Sequence, residues 1–422
     1  MIKYSFVVAV MATVLSACSS STTLELKNEL ALARKDAPVV LTRAEVKQLV
    51  GEIPAGKVLV VLDAQGVAIP SQVDDLDQDG QWDELALVCD FTAKEVKKLN
   101  VNFVDADKAP KFETRTNVHL GLGNKETGFK ATDHAFSPEG FVGIPMAYQS
   151  ESVAWENDVM GFRDYFDCRN AKDLFGKLIP EMLMDKIGTH ESGSYHELSS
   201  WGMDVLHVGP SLGSGGLALF HNDSLYRLGN TKQFEYQLVS KGPVRSVFDL
   251  KYSGWKVDGK DLSAKERITI WPGKYWFQSD VTIMGLDQDS ELAIGIVTSH
   301  LKDKKAFSFL ANKDFQAVAT HGVQSLNDDY LGMGILLPAN SKVRTGDAPV
   351  LSEEIISGSR YNQPVGQTHF VSQKISNKTS ARHYFFAAWE LENKKWADQE
   401  NFENMMKVQA EELSSPVTVT IK

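Results

Sequence analysis

Short apolar runs separated by turn residues dominate the chain. From Leu24 to about Asp105 they include Val58-Leu59-Val60-Val61-Leu62 and Leu85-Ala86-Leu87-Val88, which predict the strands of a small β unit. One short helix is expected at Thr42-Arg43-Ala44-Glu45, where Thr-x-x-Glu has the spacing of a capping box and Val46 and Leu49 follow. Beyond about residue 110, apolar and polar positions alternate in Arg267 to Trp271, Trp276 to Ile283 and Tyr384 to Trp389, with turn residues such as Pro272-Gly273 between them. The period changes to that of a helix from about Asp398 to Leu413, with Phe402, Met405, Met406 and Leu413 apolar, and Pro416 to Ile421 reads as a closing strand. Many strands without alternating helices predict a mostly β protein: a small N-terminal β unit (25–110), then a large antiparallel β-sandwich (111–422) with a few helices.

The N-terminus departs from this pattern. Lys3 precedes an apolar run from Phe6 to Leu15, and Leu15-Ser16-Ala17-Cys18 ends it. That order of charged, apolar and small residues is a signal peptide, and the run is short for a bilayer-spanning helix. Its end resembles the bacterial lipobox, so residues 1–18 are expected to be a lipoprotein signal with Cys18 as the lipidated residue. Residues 19–24 form a Ser/Thr-rich tether, and Ser19 fits sorting to an outer membrane. Cys89 and Cys168 are then the cysteines left in the mature chain; two unpaired, buried thiols are expected. A formal net charge of −11 with no Lys/Arg cluster argues against a nucleic-acid surface. An anionic small-molecule substrate stays compatible with it, because a single cleft can be basic while the total is acidic.

Three stretches carry candidate chemistry. Asp75, Asp77, Asp79, Gly80 and Asp83 have the alternation that opens a calcium loop, although Ala86 stands where the closing Glu belongs. A structural calcium ion is one reading and a solvated acidic turn the other. In Phe162-Arg163-Asp164-Tyr165, strand alternation puts Arg163 and Tyr165 on one face. There an Arg fork can clamp a substrate carboxylate, or pair with a carboxylate to hold the sheet. His190-Glu191-Ser192-Gly193-Ser194-Tyr195-His196-Glu197, followed by Trp201-Gly202-Met203-Asp204, concentrates titratable groups in a Gly/Ser-rich loop. His190, His196 and a carboxylate are one conceivable metal site, although their spacing matches neither a zinc-helix pair nor a zinc finger, and Gly209 to Gly216 lacks the Gly-Lys-Ser/Thr end of a phosphate loop.

Several motifs together resemble the bacterial domain-of-unknown-function family 4861. They are Ile69-Pro70-Ser71-Gln72, Trp155-Glu156-Asn157-Asp158, Arg163 to Asp167, Asp173-Leu174-Phe175-Gly176-Lys177, Trp201 to Asp204, Val208 to Gly213 and Phe385-Phe386-Ala387-Ala388-Trp389. The resemblance implies a galactose-mutarotase-like supersandwich and a place in polysaccharide degradation. In one branch it implies an oligosaccharide dehydratase acting on a non-reducing-end uronic acid, as in ulvan breakdown. Such a reaction needs the substrate carboxylate neutralised while the C5 proton leaves and an acid for the departing hydroxide. Arg163 is the candidate clamp, His196 or Tyr195 the base and His190 or Tyr165 the acid, with Asp204 orienting a histidine. A polysaccharide lyase or a sugar epimerase would use the same groups. The rival from another class is a glycan-binding surface lipoprotein with Trp155, Trp201 and Trp255 as stacking platforms.

Overall fold

A computed structural model describes residues 23–137, 147–190, 193–229, 231–302, 305–348 and 364–422. The expected signal peptide, Cys18 and the tether as far as residue 22 lie outside the described residues. Thr23 and Leu24, counted above with the tether, instead open a strand, Thr23–Lys27, whose Leu24 and Leu26 are fully buried. No helix among the described residues is long and apolar enough to cross a membrane.

Contacts divide the chain into two units. The first comprises the chain up to Asp74, Gly80–Phe112 and Pro416–Lys422; the second comprises Asp75–Asp79 and Glu113–Ser415. The closing strand therefore does not belong with the large β unit, as the 111–422 boundary supposed. Thr418–Ile421 pairs antiparallel with Thr23–Lys27, and Val417, Val419 and Ile421 pack on the first unit's apolar cluster.

The first unit has two antiparallel sheets. One runs in the order Thr418–Ile421, Thr23–Lys27, Val96–Asp105, Lys57–Leu62 and Ala68–Ile69; the other runs Arg34–Thr42, Glu84–Phe91 and Ser71–Asp74. The helix Arg43–Val50 starts at the expected capping box: Glu45 N donates to Thr42 Oγ1 (3.3 Å) and Thr42 N to Glu45 Oε2 (2.7 Å). Val46 and Leu49 face inward, as their spacing requires.

The second unit is a sandwich. A nine-stranded antiparallel sheet runs from His134–Phe136 at one edge through Lys260–Ile270, Trp276–Met284 and Ser380–Trp389 to Phe307–Leu310 at the other. Two five-stranded sheets complete it, one of Gly202–Asp204, Lys172–Lys177, Met160–Tyr165, Ser152–Asn157 and Thr116–His119, the other centred on Ser214–His221 and Ser290–Val297. A parallel bridge between Lys172 and Gly213 joins these two. One core takes side chains from all three sheets; Trp155 lies edge-on to Phe277 at 5.2 Å and beside Phe248 at 5.3 Å. Gly176 permits close packing in this core, because a Cβ there would stand 2.2 Å from the Trp389 ring.

The predicted C-terminal helix is Gln399–Ser414, N-capped by Asp398. It buries Phe402, Met406 and Ala410, spaced four apart along one face. Two glycines of Tyr330–Pro338 receive it, since a Cβ at Gly332 or Gly334 would meet Phe402 or Met406 at 2.7 Å. Cys89 and Cys168 are not joined in a disulfide and both are buried; burial pushes the Cys89 thiol up to about 12.

Candidate active site

The pleat decides which side chains of the first five-stranded sheet turn away from the sandwich core. Phe162 and Leu174 enter that core. Their strand neighbours Arg163 and Asp173, directly paired across the ladder, point the other way. Residues 178–190 and 193–201 cover this outer face, where Leu183, Met184, Ile187, Tyr195 and Trp201 pack with Ala154 and Phe175. Glu156 fixes the cover. Its Oε1 accepts the Leu183 and Met184 amides (2.6 and 2.7 Å), and its Oε2 takes Lys177 Nζ (2.6 Å).

Beneath the cover, Arg163 is 2% exposed and surrounded by acceptors. Nε donates to Asp173 Oδ2 (2.9 Å); Nη2 donates to Asp173 Oδ2 (2.5 Å), Asp204 Oδ2 (2.7 Å) and the Tyr165 hydroxyl (2.8 Å). Nη1 reaches the Ser150 carbonyl (3.2 Å) and the Tyr195 hydroxyl (3.3 Å), and Tyr165 donates in turn to Asp173 Oδ2 (2.7 Å). A guanidinium has five N–H donors, and here every nitrogen is engaged by protein. Arg163 therefore cannot clamp a substrate carboxylate, and Tyr165, locked beneath it, is not placed to be an acid. Of the two readings the sequence left open, the arginine that holds the sheet is the one observed.

What this island serves is at the surface. Asp204 Oδ2, itself buried, lies 3.3 Å from Nδ1 of His196, whose side chain is 56% exposed. The hydrogen bond that His196 donates to Asp204 raises the His196 pKa above its ordinary value. Burial, with Asp173 alongside, raises Asp204 as well, although Arg163 and His196 act against it. With Nδ1 turned to Asp204, Nε2 faces outward. Tyr195 stacks at a tilt on His196, with ring centroids 4.3 Å apart.

His196, Tyr195 and His190 line a recess of about 390 Å³ with Lys125, Thr189, Gly193 and Ser194. Lys125, Thr189 and His190 also line an adjoining groove of about 600 Å³, whose walls include Phe129, Leu183, Lys186 and Trp201. The structure thus brings His190, Tyr195 and His196 to one cleft, with Asp204 behind them. The sequence reading missed Asp173 as the partner of Arg163, and missed Lys125 altogether. A second groove, of about 680 Å³, carries Lys302, Lys305, His321 and Tyr330; there His321 Nε2 is bonded to the Trp396 carbonyl (2.8 Å), and no buried carboxylate stands behind the imidazole among the described contacts.

Of the proposed stacking tryptophans, Trp155 and Trp255 are fully buried in the core and cannot face a glycan; Trp201 borders the groove. The expected calcium ligands lie on the connection between Ser71–Asp74 and Glu84–Phe91. Asp75, Asp77 and Asp79 count with the second unit and Asp83 with the first. Asp77 Oδ1 accepts the Asp79 amide (3.1 Å), which closes the turn.

A family model described as a domain of unknown function, DUF4861, matches residues 26–419. The chain belongs to the DUF4861 family. It is similar to an uncharacterized protein P7 of Formosa agariphila, 24% identical over 443 aligned residues that cover 97% of each chain. Among solved structures, an α-mannosidase from Enterococcus faecalis aligns with a TM-score of 0.43 at 10% identity, over 95% of this chain and 46% of the mannosidase. A putative aldose 1-epimerase from Klebsiella pneumoniae aligns with a TM-score of 0.30 at 11% identity, over 70% of this chain and 95% of the epimerase. The chain thus spans just under half the length of the mannosidase.

In this DUF4861 chain the motif Trp155 to Asp158 is architectural: Trp155 is core, Glu156 anchors the cover, and Asn157 Nδ2 donates to the Trp271 and Lys274 carbonyls (both 2.7 Å). Asp158 receives Arg115 and the Gly273 amide. Of the motif positions, Trp201 borders the groove, while Asp173 and Asp204 act on the cleft through Arg163 and His196.

Proposed function

We propose that this protein is a carbohydrate-active enzyme that removes a proton next to the carboxylate of a terminal uronic acid and eliminates water across C4 and C5. The observation that carries the reading is the exposed imidazole of His196 backed by the buried Asp204 carboxylate at 3.3 Å, in a cleft that also holds His190 and Tyr195. Membership of the DUF4861 family, with the dehydratase branch that the sequence motifs resemble, supports the substrate class.

In this mechanism His196 Nε2 takes the C5 proton while Asp204 holds Nδ1–H and stabilises the imidazolium that forms. The C5–H electron pair becomes the C4=C5 double bond. The C4–O bond breaks, and the leaving hydroxide takes a proton from His190 to depart as water. Tyr195, whose hydroxyl accepts from Arg163 Nη1, keeps its own O–H available to the substrate. Arg163, Asp173 and Tyr165 are positioning residues. We also propose that the chain is carried by a lipid at Cys18 in an outer membrane.

Incubation with uronic-acid oligosaccharides followed by mass spectrometry tests the reading. Loss of one water at unchanged chain length is expected; a shortened chain would make the protein a lyase, and an unchanged mass with inverted C5 an epimerase. Binding without turnover would favour the glycan-binding alternative. His196→Ala should lower kcat on the order of 10²–10⁴-fold. Its melting temperature should barely move, because the side chain is mostly exposed.

A further inference from the structure

With Arg163 enclosed by protein, the cleft must recognise an anionic sugar through another cation. Among the described residues the recess of His196 is lined by one lysine, Lys125, by no arginine and by no carboxylate. Lys125 also lines the adjoining groove, whose lining includes both Lys186 and Asp185. Lys125 forms no ion pair among the described residues. It sits on the turn of a two-stranded hairpin, Gly121–Asn124 with Gly128–Ala131. Asn124 Oδ1 staples that turn by accepting the Glu126 and Thr127 amides (2.9 and 2.8 Å) and the Thr127 hydroxyl (3.1 Å). Gly123 lets the two strands close, since a Cβ there would meet the Gly128 carbonyl at 2.2 Å. The ammonium is therefore delivered by a braced turn on a side chain long enough to reach a ligand.

The groove beyond Lys125 has a different character. Phe129, Leu183, Ile187 and Trp201 give it apolar walls, and Glu156 holds the Leu183 end in place through two amides. A pyranose has one face rich in C–H groups, which aromatic rings receive in water. A recess with a cation and an acid–base pair, opening into an aromatic groove, fits a charged terminal sugar followed by a less polar one.

We infer that Lys125 recognises the carboxylate of the terminal sugar and that the groove of Phe129 and Trp201 seats the sugar next to it, so the substrate is an oligosaccharide of at least two residues. This rests on the uronate reading above. A monosaccharide uronate fills the recess only and binds weakly.

The test is calorimetric titration in a His196→Ala background, which blocks turnover. The ligands are a disaccharide with terminal glucuronic acid, its carboxyl-reduced counterpart, and free glucuronic acid. The acidic disaccharide should bind at least about tenfold more tightly than the reduced one, a difference typical of one charge-assisted contact. Lys125→Met should erase that preference and Lys125→Arg should keep most of it. Trp201→Ala should weaken both disaccharides by similar factors and leave free glucuronic acid unchanged. A preference that survives Lys125→Met, or equal binding of all three ligands, overturns the inference, as does the absence of any binding. If the unsubstituted protein binds with this pattern but eliminates no water, the dehydratase reading falls while the assignment of Lys125 and Trp201 stands.

Discussion

Asp204 is the residue through which the buried charges act on the cleft. It faces Arg163 at 2.7 Å and His196 at 3.3 Å, so one carboxylate both neutralises the arginine and tethers the base. The sign of its effect on pH dependence follows. His196 must be neutral to accept a proton, and Asp204 raises its pKa, so activity should rise with pH along an acid limb displaced above the ordinary imidazole value, to a plateau that ends where His190 loses the proton it donates. Asp204→Asn keeps the shape and removes the charge. The acid limb of the kcat profile should then move to lower pH while the plateau falls on the order of 10²–10⁴-fold, because the imidazole loses its orienting partner. A pH–rate profile of the two proteins checks this; a limb that stays in place would mean that His196 is not the titrating base.

At the level of elements, the sandwich encloses charge on its inner face too. Lys172 of Lys172–Lys177 is fully buried between Glu266 (2.9 Å) and Asp164 (3.1 Å), and Ser279 Oγ donates to Glu266 (2.6 Å). Burial, with Glu266 nearby, pushes Asp164 up to about 7 despite Lys172; His383, buried and close to Lys172, is pushed down to about 3. A carboxyl that holds its proton in the folded state to about pH 7 but loses it near 4 when unfolded stabilises the fold at low pH. That contribution is lost as pH rises from about 4 to about 7. His383 has the opposite sign, losing stability as pH falls below the ordinary imidazole value. Comparing Asp164→Asn with the unsubstituted protein isolates the first effect: urea unfolding from pH 4.5 to 8 should show a downward slope with pH that the variant lacks. Strand alternation made Arg163 and Tyr165 legible as neighbours, and the capping box and the 3.6 period gave both helices. What sits opposite a strand, by contrast, depends on pairings across the sheet. Asp173 faces Arg163 only through the ladder, and Lys125 reaches the cleft only because a hairpin folds over it, so neither could be read from local pattern. The same limit explains Trp155 and Trp255: an aromatic in a polar stretch reads as exposed, while the pleat turned both inward.

For the molecule as a whole, the strand that ends the chain matters more than its length suggests. Thr418–Ile421 is the neighbour of Thr23–Lys27, with Leu24 opposite Ile421 and Lys27 opposite Thr418. Deleting residues 416–422 would leave Thr23–Lys27 as a bare edge and uncover the apolar cluster on which Val417 packs. Hydrogen exchange should then accelerate across Thr23–Lys27 and its other neighbour Val96–Asp105, while the amides of Met160–Tyr165 and Lys172–Lys177 keep their protection. Uniform loss of protection would mean that the two units unfold as one.

That same pairing ties the two ends of the chain together, with Thr23 N donating to the Lys422 carbonyl (3.2 Å) and Lys422 N to that of Thr23 (3.0 Å). Cys18 precedes Thr23 by five residues, which span at most ~18 Å when extended. With a lipid at Cys18, whatever is fused behind Lys422 is held against the headgroups. A purification tag or fluorescent reporter placed there would compete with the bilayer for room, whereas the braced hairpin turn that carries Lys125 is built from neither end and is untouched by such a fusion.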